Sequence, residues 1–497
     1  MKSMRLFFIV PPQEYNEVGS PIDRVYGCNY GFDYKPPIHM LSAATAAESA
    51  GHSIRFLDSP AENLHEREFE KIMESEQIDA AFFFTPYLST SEDRKAAQFI
   101  RRAKGSKPPV VFMGAAPSWK PEMFLDIENS FVIRGEPERT LLELLAAFGG
   151  SGDFENIKGL SFIKNGRQVD NPFRDLMDVN ELPIPNRRLL LGRYRLNRLN
   201  VAPVTTMCVS RGCAYRCTFC APNGVDQAIE LEYKRLQEKY VKRPPLRKRS
   251  APLVIKEFQE IARLGYKGIE ISDNHFLWEK SRTLEICAGI KDLGLEWICL
   301  ARAPFLHDPE VVEALRDAGC KMVYMGTESF VQEILDDIHK DLKVDDIFKA
   351  VEVCKRCGVE PEVSVMMGAS PLETPETIDY SLKEAAKLGT RFVHYSAALP
   401  FPNTELYDEA KKNGWFLRGE FESVDNAKEA IINLPHITAE ELRRKLKWAY
   451  FRQYYSVRGV WLTLKNIRSF GDLIHKGRMA LKLLQQTIFG LRRKEKP

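Results

Sequence analysis

The sequence predicts an α/β chain of two parts: a doubly wound parallel sheet, then a partial (β/α)6 barrel followed by a helical C-terminal extension. Three observations carry this expectation. Short apolar runs alternate with amphipathic stretches through residues 1–150, the alternation restarts at Thr205, and Gly149-Gly150-Ser151-Gly152 interrupts the pattern between them. Short apolar runs set between helices are strands buried on both faces, which is the pattern of a parallel sheet. Length agrees, since 497 residues exceed one ordinary domain.

In the first part the expected strands are Leu6–Val10, Ile54–Leu57, Ala80–Phe84, Val110–Met113 and Phe131–Ile133. The expected helices are Ile38–Ala50, His65–Glu74, Ser91–Ala103 and Arg139–Phe148. Such a Rossmann-like sheet binds ligands at the carboxyl ends of its strands. Pro11-Pro12, Asp58, Thr85–Thr90, Gly114–Pro117 and Gly135-Glu136-Pro137-Glu138 stand at those ends. Residues 151–199 read as a linker with a small hairpin, because Asn165-Gly166 is a turn dipeptide between two extended runs.

Residues 200–420 supply six strand–helix units, with strands at Thr205–Ser210, Gly268–Ser272, Trp297–Ala301, Met322–Met325, Glu362–Met367 and Phe392–Ala397. The helices between them are Val254–Leu264, Ser281–Leu293, Pro309–Ala318, Val331–Ile338, Val344–Cys357 and Pro375–Leu388. Polar residues at barrel strand ends are the first candidates for a site. The charged insertion Val225–Arg249 reads either as a lid beside the barrel mouth or as a solvated surface excursion.

Composition, with 44% hydrophobic and 28% charged residues, excludes a disordered chain. The N-terminus lacks the pattern of a signal peptide and no apolar run is long enough to span a bilayer, so a cytoplasmic protein is expected. The net charge of +3 is uneven: Glu441–Pro497 holds fifteen Lys and Arg against three Asp and Glu, a local net of +12. This basic stretch, 421–497 with its approach, interleaves Arg443, Arg444, Lys445 and Lys447 with Trp448, Tyr450, Phe451, Tyr454, Tyr455 and Trp461, and continues through Ile474–Leu484. Three readings stand: an amphipathic helix at the inner membrane surface, a nucleic-acid patch, and a helix that packs on its own barrel.

Ten cysteines in a cytoplasmic chain are not a disulfide framework. Cys28, Cys208, Cys287, Cys299, Cys320, Cys354 and Cys357 are scattered, mostly through apolar patterns where free buried cysteine is common. Cys213, Cys217 and Cys220 are clustered in one loop after the first barrel strand. Three thiolates at these spacings can wrap one iron–sulfur cubane and leave its fourth corner open to a substrate. A zinc site needs a fourth ligand, for which Asp226 and His275 are the nearest downstream candidates, and three purely structural cysteines are the remaining alternative.

Cys213-Ala214-Tyr215-Arg216-Cys217-Thr218-Phe219-Cys220, with an aromatic before the last cysteine, resembles the radical S-adenosylmethionine (SAM) superfamily over about Thr205–Phe416. The resemblance implies a [4Fe–4S] cluster on Cys213, Cys217 and Cys220 whose open iron chelates SAM. It also implies reductive cleavage of SAM to a 5′-deoxyadenosyl radical. Carried over position by position, SAM contacts are expected at Ser272 and Asp273 after the second strand, at Arg302 after the third, and at Glu328 and Ser329 after the fourth. A further contact is expected at Gly368, in the turn Gly368–Thr374 after the fifth strand, and Leu399–Thr404 matches the family's Pro-rich segment.

The first part resembles the cobalamin-binding domain joined to many of these enzymes, through Pro36-Pro37, Gly51-His52, Asp58, Thr85, Gly114-Ala115-Ala116 and Gly135-Glu136. Cobalamin contacts are accordingly expected at Asp58, Thr85, Gly114, Gly135 and Glu136. The chain departs from the pattern at Asp58-Ser59-Pro60, which lacks the histidine that ligates cobalt from below, so cobalamin without a histidine ligand is implied. The resemblance implies a C-methyltransferase served by a reductant such as flavodoxin or ferredoxin. Radical cyclisation or another non-methylating rearrangement is the alternative, with a lipid or isoprenoid as a substrate that would account for the basic tail. A non-catalytic cobalamin or iron–sulfur carrier is the alternative of another class.

Overall fold

A computed structural model of the chain describes residues 3–13, 21–27, 34–105, 107–196, 198–199, 201–236, 243–419 and 426–456. Cys28, Lys242, Trp461, the Ile474–Leu484 run and the side chain of Tyr454 lie outside the described residues. The first sheet holds β1 (Arg5–Val10), β2 (Ser53–Asp58), β3 (Ala80–Phe84), β4 (Val110–Met113), β5 (Ser130–Ile133), β6 (Leu160–Lys164) and β7 (Arg167–Asp170). Their order is β2-β1-β3-β4-β5-β6-β7, with β1 to β5 parallel and the last two antiparallel. The order reverses between β1 and β3, as in doubly wound sheets. Both faces are covered: Leu6, Phe8 and Val10 pack into one core layer, Phe7 and Ile9 into the other. The hairpin β6–β7, read from sequence as part of a linker, extends this sheet because Phe131, Val132 and Ile133 still have an open ladder edge to pair with Phe162, Ser161 and Leu160.

The second unit holds β8 (Val204–Met207), a two-residue β9 (Ser210–Arg211) paired with β10 (Arg247–Lys248), then β11 (Gly268–Ile271), β12 (Glu296–Ala301), β13 (Cys320–Glu328), β14 (Glu360–Met367) and β15 (Phe392–Ala397). Strands β8 and β11 to β15 form one parallel sheet in chain order, with helices packed outside it. Trp297, Val323 and Val363 face those helices and join a core with Phe258, Ile286 and Ile347. This is the expected open six-stranded barrel.

The described part of the insertion is not a solvated excursion. Its helix, Gly224–Arg235, is buried from Gly224 to Glu232 and runs across the carboxyl ends of the first sheet. Val225 and Ile229 enter one core layer of the first domain and Leu231 the other. Gly224 is required there, since a Cβ would come 2.9 Å from the Phe84 ring. Charge on this helix is paired across the domains rather than hydrated, as Glu232 stands 3.5 Å from Arg134.

The first tail helix, Ala439–Tyr455, packs on the barrel through Leu442, Leu446 and Ala449, and Tyr450 Oη donates to Tyr395 O at 2.7 Å. Its outer face leaves Trp448 47% and Phe451 43% exposed. Among the described residues no helix is long and apolar enough to cross a membrane.

Candidate active site

The loop after β8 is held from several sides before it reaches its first cysteine. Asp273, past the end of β11, accepts from Val209 N at 2.7 Å and from Ser210 Oγ. Gly212 has φ +92°, and a Cβ there would meet Pro245 O at 3.0 Å, so only glycine brings the loop past β10. Thr218 N donates to Ile338 O at 3.1 Å. Arg243 donates to Tyr215 O, and the Arg302 guanidinium lies 3.5 Å from the centre of the Tyr215 ring.

This loop caps a cavity of about 260 Å³ in the barrel mouth, lined by Cys213, Cys217 and Cys220 together with Arg302, Glu328 and Lys340. Burial pushes the Cys213 thiol up to about 11. Cys220 is pushed up by burial and by the charges of Cys217 and Cys213, against the pull of Lys340 and Arg243. Thiols held protonated in this way lose their protons as metal enters. Among the described residues no three His, Cys, Asp or Glu side chains are grouped to hold a single metal ion. Three thiols of one loop facing one cavity suit a cluster instead, where each binds a different iron. The two zinc candidates are engaged elsewhere: Asp226 accepts from Asn274 Nδ2 at 2.5 Å, and the His275 ring is wedged between Trp278 and Phe305.

Of the expected SAM contacts, the structure brings Arg302 and Glu328 to the cavity with the thiols. Arg302 Nε is buried without a hydrogen-bond partner, and among the described residues the guanidinium has no carboxylate partner, so it fits an incoming carboxylate. Glu328 has φ +60°, accepts from Lys340 Nζ at 2.7 Å and from Ser364 Oγ at 3.0 Å, and so keeps its carboxylate at the mouth. The other expected contacts sit behind the wall. Asp273 is committed to the loop, Ser272 is fully buried, and Ser329 Oγ is 3.1 Å from Ser381 Oγ. Gly368, with φ +84°, gives its N–H to Glu373 at 2.9 Å, as does Ala369, so the motif glutamate organises its own turn.

The five residues expected to hold cobalamin also turn inward. Asp58 accepts from Tyr34 Oη at 2.7 Å, Tyr194 Oη at 3.0 Å and Ala61 N at 3.3 Å. Thr85 faces Asp93, and a Cβ on Gly114 would stand 3.0 Å from Thr85 O, so that glycine serves the approach of two strand ends. Gly135 N donates to Ser118 Oγ at 3.1 Å. Glu136 pairs with Arg211 at 2.7 Å and Arg247 at 2.8 Å across the domain boundary. Tyr87, past β3, stacks on Phe401 of the barrel with ring centres 5.9 Å apart. Among the described residues, these positions therefore pack against other segments of the protein.

Sequence reasoning missed Lys340, Lys35, Glu270, Arg198 and Tyr26, all on the cavity. Lys340 lies in a loop flanked by left-handed His339 and Asp341, with φ +49° and +51°, and Arg302 donates to the backbone oxygens of Lys340 and Asp341. Two non-glycine left-handed residues in one loop carry strain of the kind met at binding sites, but only coordinates reveal it.

Residues 207–385 match the family model of the Radical SAM superfamily. The chain is 29% identical to an uncharacterized methyltransferase of Pyrococcus horikoshii over 91% of its own length and 93% of the relative's. Among solved structures it is similar to the radical SAM methyltransferase TsrM of Kitasatospora setae, with TM-score 0.64 and 21% identity over 83% of this chain and 76% of that one. It is also similar to the cobalamin-dependent radical SAM enzyme OxsB, with TM-score 0.68 and 13% identity over 98% and 72% of the two chains. Residues 207–385 are thus those of a radical SAM domain by similarity, and the chain has the two-domain fold of the solved cobalamin-dependent radical SAM enzymes.

Proposed function

We propose that this enzyme uses SAM to modify an unactivated carbon, with methyl transfer as the reaction. The observation that carries the proposal is the single cavity shared by Cys213, Cys217, Cys220, Arg302 and Glu328 at the barrel mouth. When bound on the three thiolates, a [4Fe–4S] cluster supplies the electron for reductive cleavage of SAM. Arg302 holds the carboxylate of SAM, Glu328 takes a polar hydrogen of the bound molecule, and Lys340 holds Glu328 in place. The Tyr215 ring under Arg302 and the Phe219 side chain screen the thiols from water. Cobalamin belongs to this reading through the fold and through the methyltransferase names of similar proteins, and a flavodoxin or ferredoxin is the reductant.

Anaerobic reconstitution tests the reading. Cluster absorption and 5′-deoxyadenosine should appear in the wild type and vanish in Cys213→Ala, Cys217→Ala and Cys220→Ala, while Cys287→Ala and Cys354→Ala keep both. A full four-iron cluster in Cys213→Ala would sink the assignment. With substrate present, methyl transfer requires S-adenosylhomocysteine and 5′-deoxyadenosine in equal amounts, whereas 5′-deoxyadenosine alone favours a rearrangement.

The enzyme is proposed to work in the cytoplasm and to attach peripherally to anionic membrane through its basic tail. A basic residue near such a surface contributes about 1 kcal/mol. Salt-sensitive binding to anionic vesicles should disappear on truncation after Ser456, which spares the helix packed on the barrel. Unchanged binding after truncation would refute the attachment.

A further inference from the structure

The boundary between the domains encloses a second cavity, of about 30 Å³, which shares no lining residue with the one at the barrel mouth. Three parts of the chain meet at it. The first domain contributes Ile38, His39 and Ser42 from the first turn of the helix Ile38–Ser49. The joining segment contributes Leu182 and Pro183, and the barrel contributes Ser210 and Arg211 of β9 with Arg249 just past β10. Two buried polar atoms of these residues have no hydrogen-bond partner among the described residues: Nε2 of His39, 2% exposed, and Nε of Arg249, 4% exposed. The helix adds donors of its own. Pro37 gives it no side-chain cap, its first turn holds no acidic residue, and the N–H groups of Ile38 and His39 meet no acceptor among the described residues. Such an N-terminus carries roughly half a positive charge.

The side chains behind these atoms leave a positive charge unanswered at Arg249. Arg187 and Arg249 are both buried and share one carboxylate, Glu257. Arg187 gives its remaining donors to Thr205 Oγ1, Pro185 O and Thr206 O, at 3.1, 3.2 and 2.7 Å. Besides Glu257, Arg249 has one long contact, 3.5 Å to Leu182 O. Across the cavity Arg211 and Arg247 meet Glu136 and Glu138, two against two. Two further carboxylates are engaged elsewhere: Asp226, which feels Arg211, accepts from Asn274, and Glu260, which feels Arg187, pairs with Arg263. Burial and the charge of Arg211 push His39 down to about 3, so its ring is neutral and offers one N–H. A buried charge without a full counter-charge is costly. Water in the cavity would bond the orphaned donors and leave that charge standing, whereas an anion answers both.

We propose that this cavity binds one small monovalent anion, of the size of chloride, between Arg249, His39 and the N-terminus of the helix Ile38–Ser49. At about 10–15 Å³ for each water-sized guest, 30 Å³ admits a halide and excludes a phosphate. The site lies outside the barrel lumen, and its occupation does not depend on the chemistry at the mouth. Its consequence is mechanical. The anion ties the first domain and the joining segment to Ser210 and Arg211, which lead through Gly212 to Cys213.

Crystals of the full chain equilibrated with millimolar sodium bromide test the site directly, because bromide replaces chloride and scatters anomalously. A bromine peak should stand within hydrogen-bond reach of Arg249 Nε. In solution, sodium chloride or bromide should raise the melting temperature above that in sodium gluconate of equal ionic strength, whose anion is too large to enter. The rise should follow the logarithm of halide concentration and reach about 2 °C at a hundredfold excess over the dissociation constant. Arg249→Met removes the surplus charge and leaves Arg187 and Glu257 one to one, so both the peak and the thermal response should vanish. His39→Phe keeps a ring against Phe84 without the N–H and should weaken the response. If Arg249→Met fails to fold, His39→Phe takes its place, and an unchanged response there would overturn the site. Water at the predicted position, bromide there only at molar concentration as an adventitious ion, equal melting in halide and gluconate, or a response that survives Arg249→Met would each overturn it as well.

Discussion

The molecule has two parallel sheets, and the carboxyl edges of their strands have opposite fates. At the barrel edge the chain leaves β8 into a loop that opens on a cavity lined by its own three thiols, three guanidinium groups, two ammonium groups and two carboxylates. At the edge of the first sheet, where the same topological rule expects a ligand, the described residues bring other segments of the chain against the strand ends. The helix Gly224–Arg235 lies across the strand ends, Tyr87 stacks on Phe401, and Glu136 and Glu138 are clamped by Arg211. Strand order tells where a ligand can go. Whether the place is open depends on what other segments bring to it.

The clamp is the sharpest place to break this comparison. Arg211 sits two residues before Cys213, yet its guanidinium is buried between two carboxylates of the other domain. Those carboxylates hold its ionised form strongly, outweighing the desolvation that opposes it. Arg211→Met leaves Glu136 with Arg247 and strands Glu138 near Ser42 alone. Removing one partner of a buried pair costs about 3–5 kcal/mol. Chemical denaturation should show that loss, and cluster uptake should fall with it, because the clamp fixes the start of the loop. If stability and cluster uptake were both unchanged, the two edges would be energetically independent.

Much of this arrangement was legible in the residues. Phe82-Phe83-Phe84 can only be a strand buried on both faces, Asn165-Gly166 turned the hairpin, and three thiols at spacings of four and three marked the loop that borders the cavity. The failures share one cause, which is charge that is buried against protein partners rather than hydrated, often across the boundary between domains. Asp226, Glu230 and Glu232 made the insertion look hydrated, yet all three are buried and face Asn274, Arg243 and Arg134. Lys35 and Glu270 are 235 positions apart in the chain, and no local pattern joins them. Gly-Glu at positions 135 and 136 carried a resemblance to a cofactor turn, while here the glutamate serves as an interdomain ion-pair partner. Polar residues at a strand end look the same in sequence whether they meet a ligand or another part of the protein.

Asp58 allows the closed edge to be read through pH. Three hydrogen bonds pull its carboxyl down, but burial wins and holds it at about 6, against 3.8 for the ordinary group. Because the folded state binds this proton more tightly than the unfolded chain does, its contribution is full below about pH 4 and is lost as pH rises toward 6. At about 1.36 kcal/mol per pH unit the loss amounts to about 3 kcal/mol at most. Asp58→Asn cannot titrate, so its stability relative to wild type should rise across that window. A parallel pH dependence in the two proteins would mean that Asp58 is hydrated, and that the edge is open.

The finest test compares two glycines placed alike on the two edges. Gly114 follows β4 with φ +106°, and Gly212 follows β9 with φ +92°; a Cβ on either would stand 3.0 Å from a carbonyl oxygen, of Thr85 and Pro245 respectively. Backbone held in such regions costs about 1–3 kcal/mol for a residue with a side chain. Gly114→Ala and Gly212→Ala should therefore lose similar stability when denatured without cofactors. Their consequences should then diverge. A displaced Pro245 carbonyl moves the residue next to Cys213, so Gly212→Ala should take up less cluster than wild type under the same reconstitution. A displaced Thr85 carbonyl disturbs only the junction of β3 and β4, so Gly114→Ala should take up cluster normally. Cobalamin titration, followed by its visible absorption, supplies the decisive arm. If Gly114→Ala stays stable but loses cobalamin binding that the wild type has, the glycine leaves room for a ligand rather than for a neighbouring strand. The helix Gly224–Arg235 must then move aside when the cofactor enters, and the closed edge is a state of the protein rather than its design.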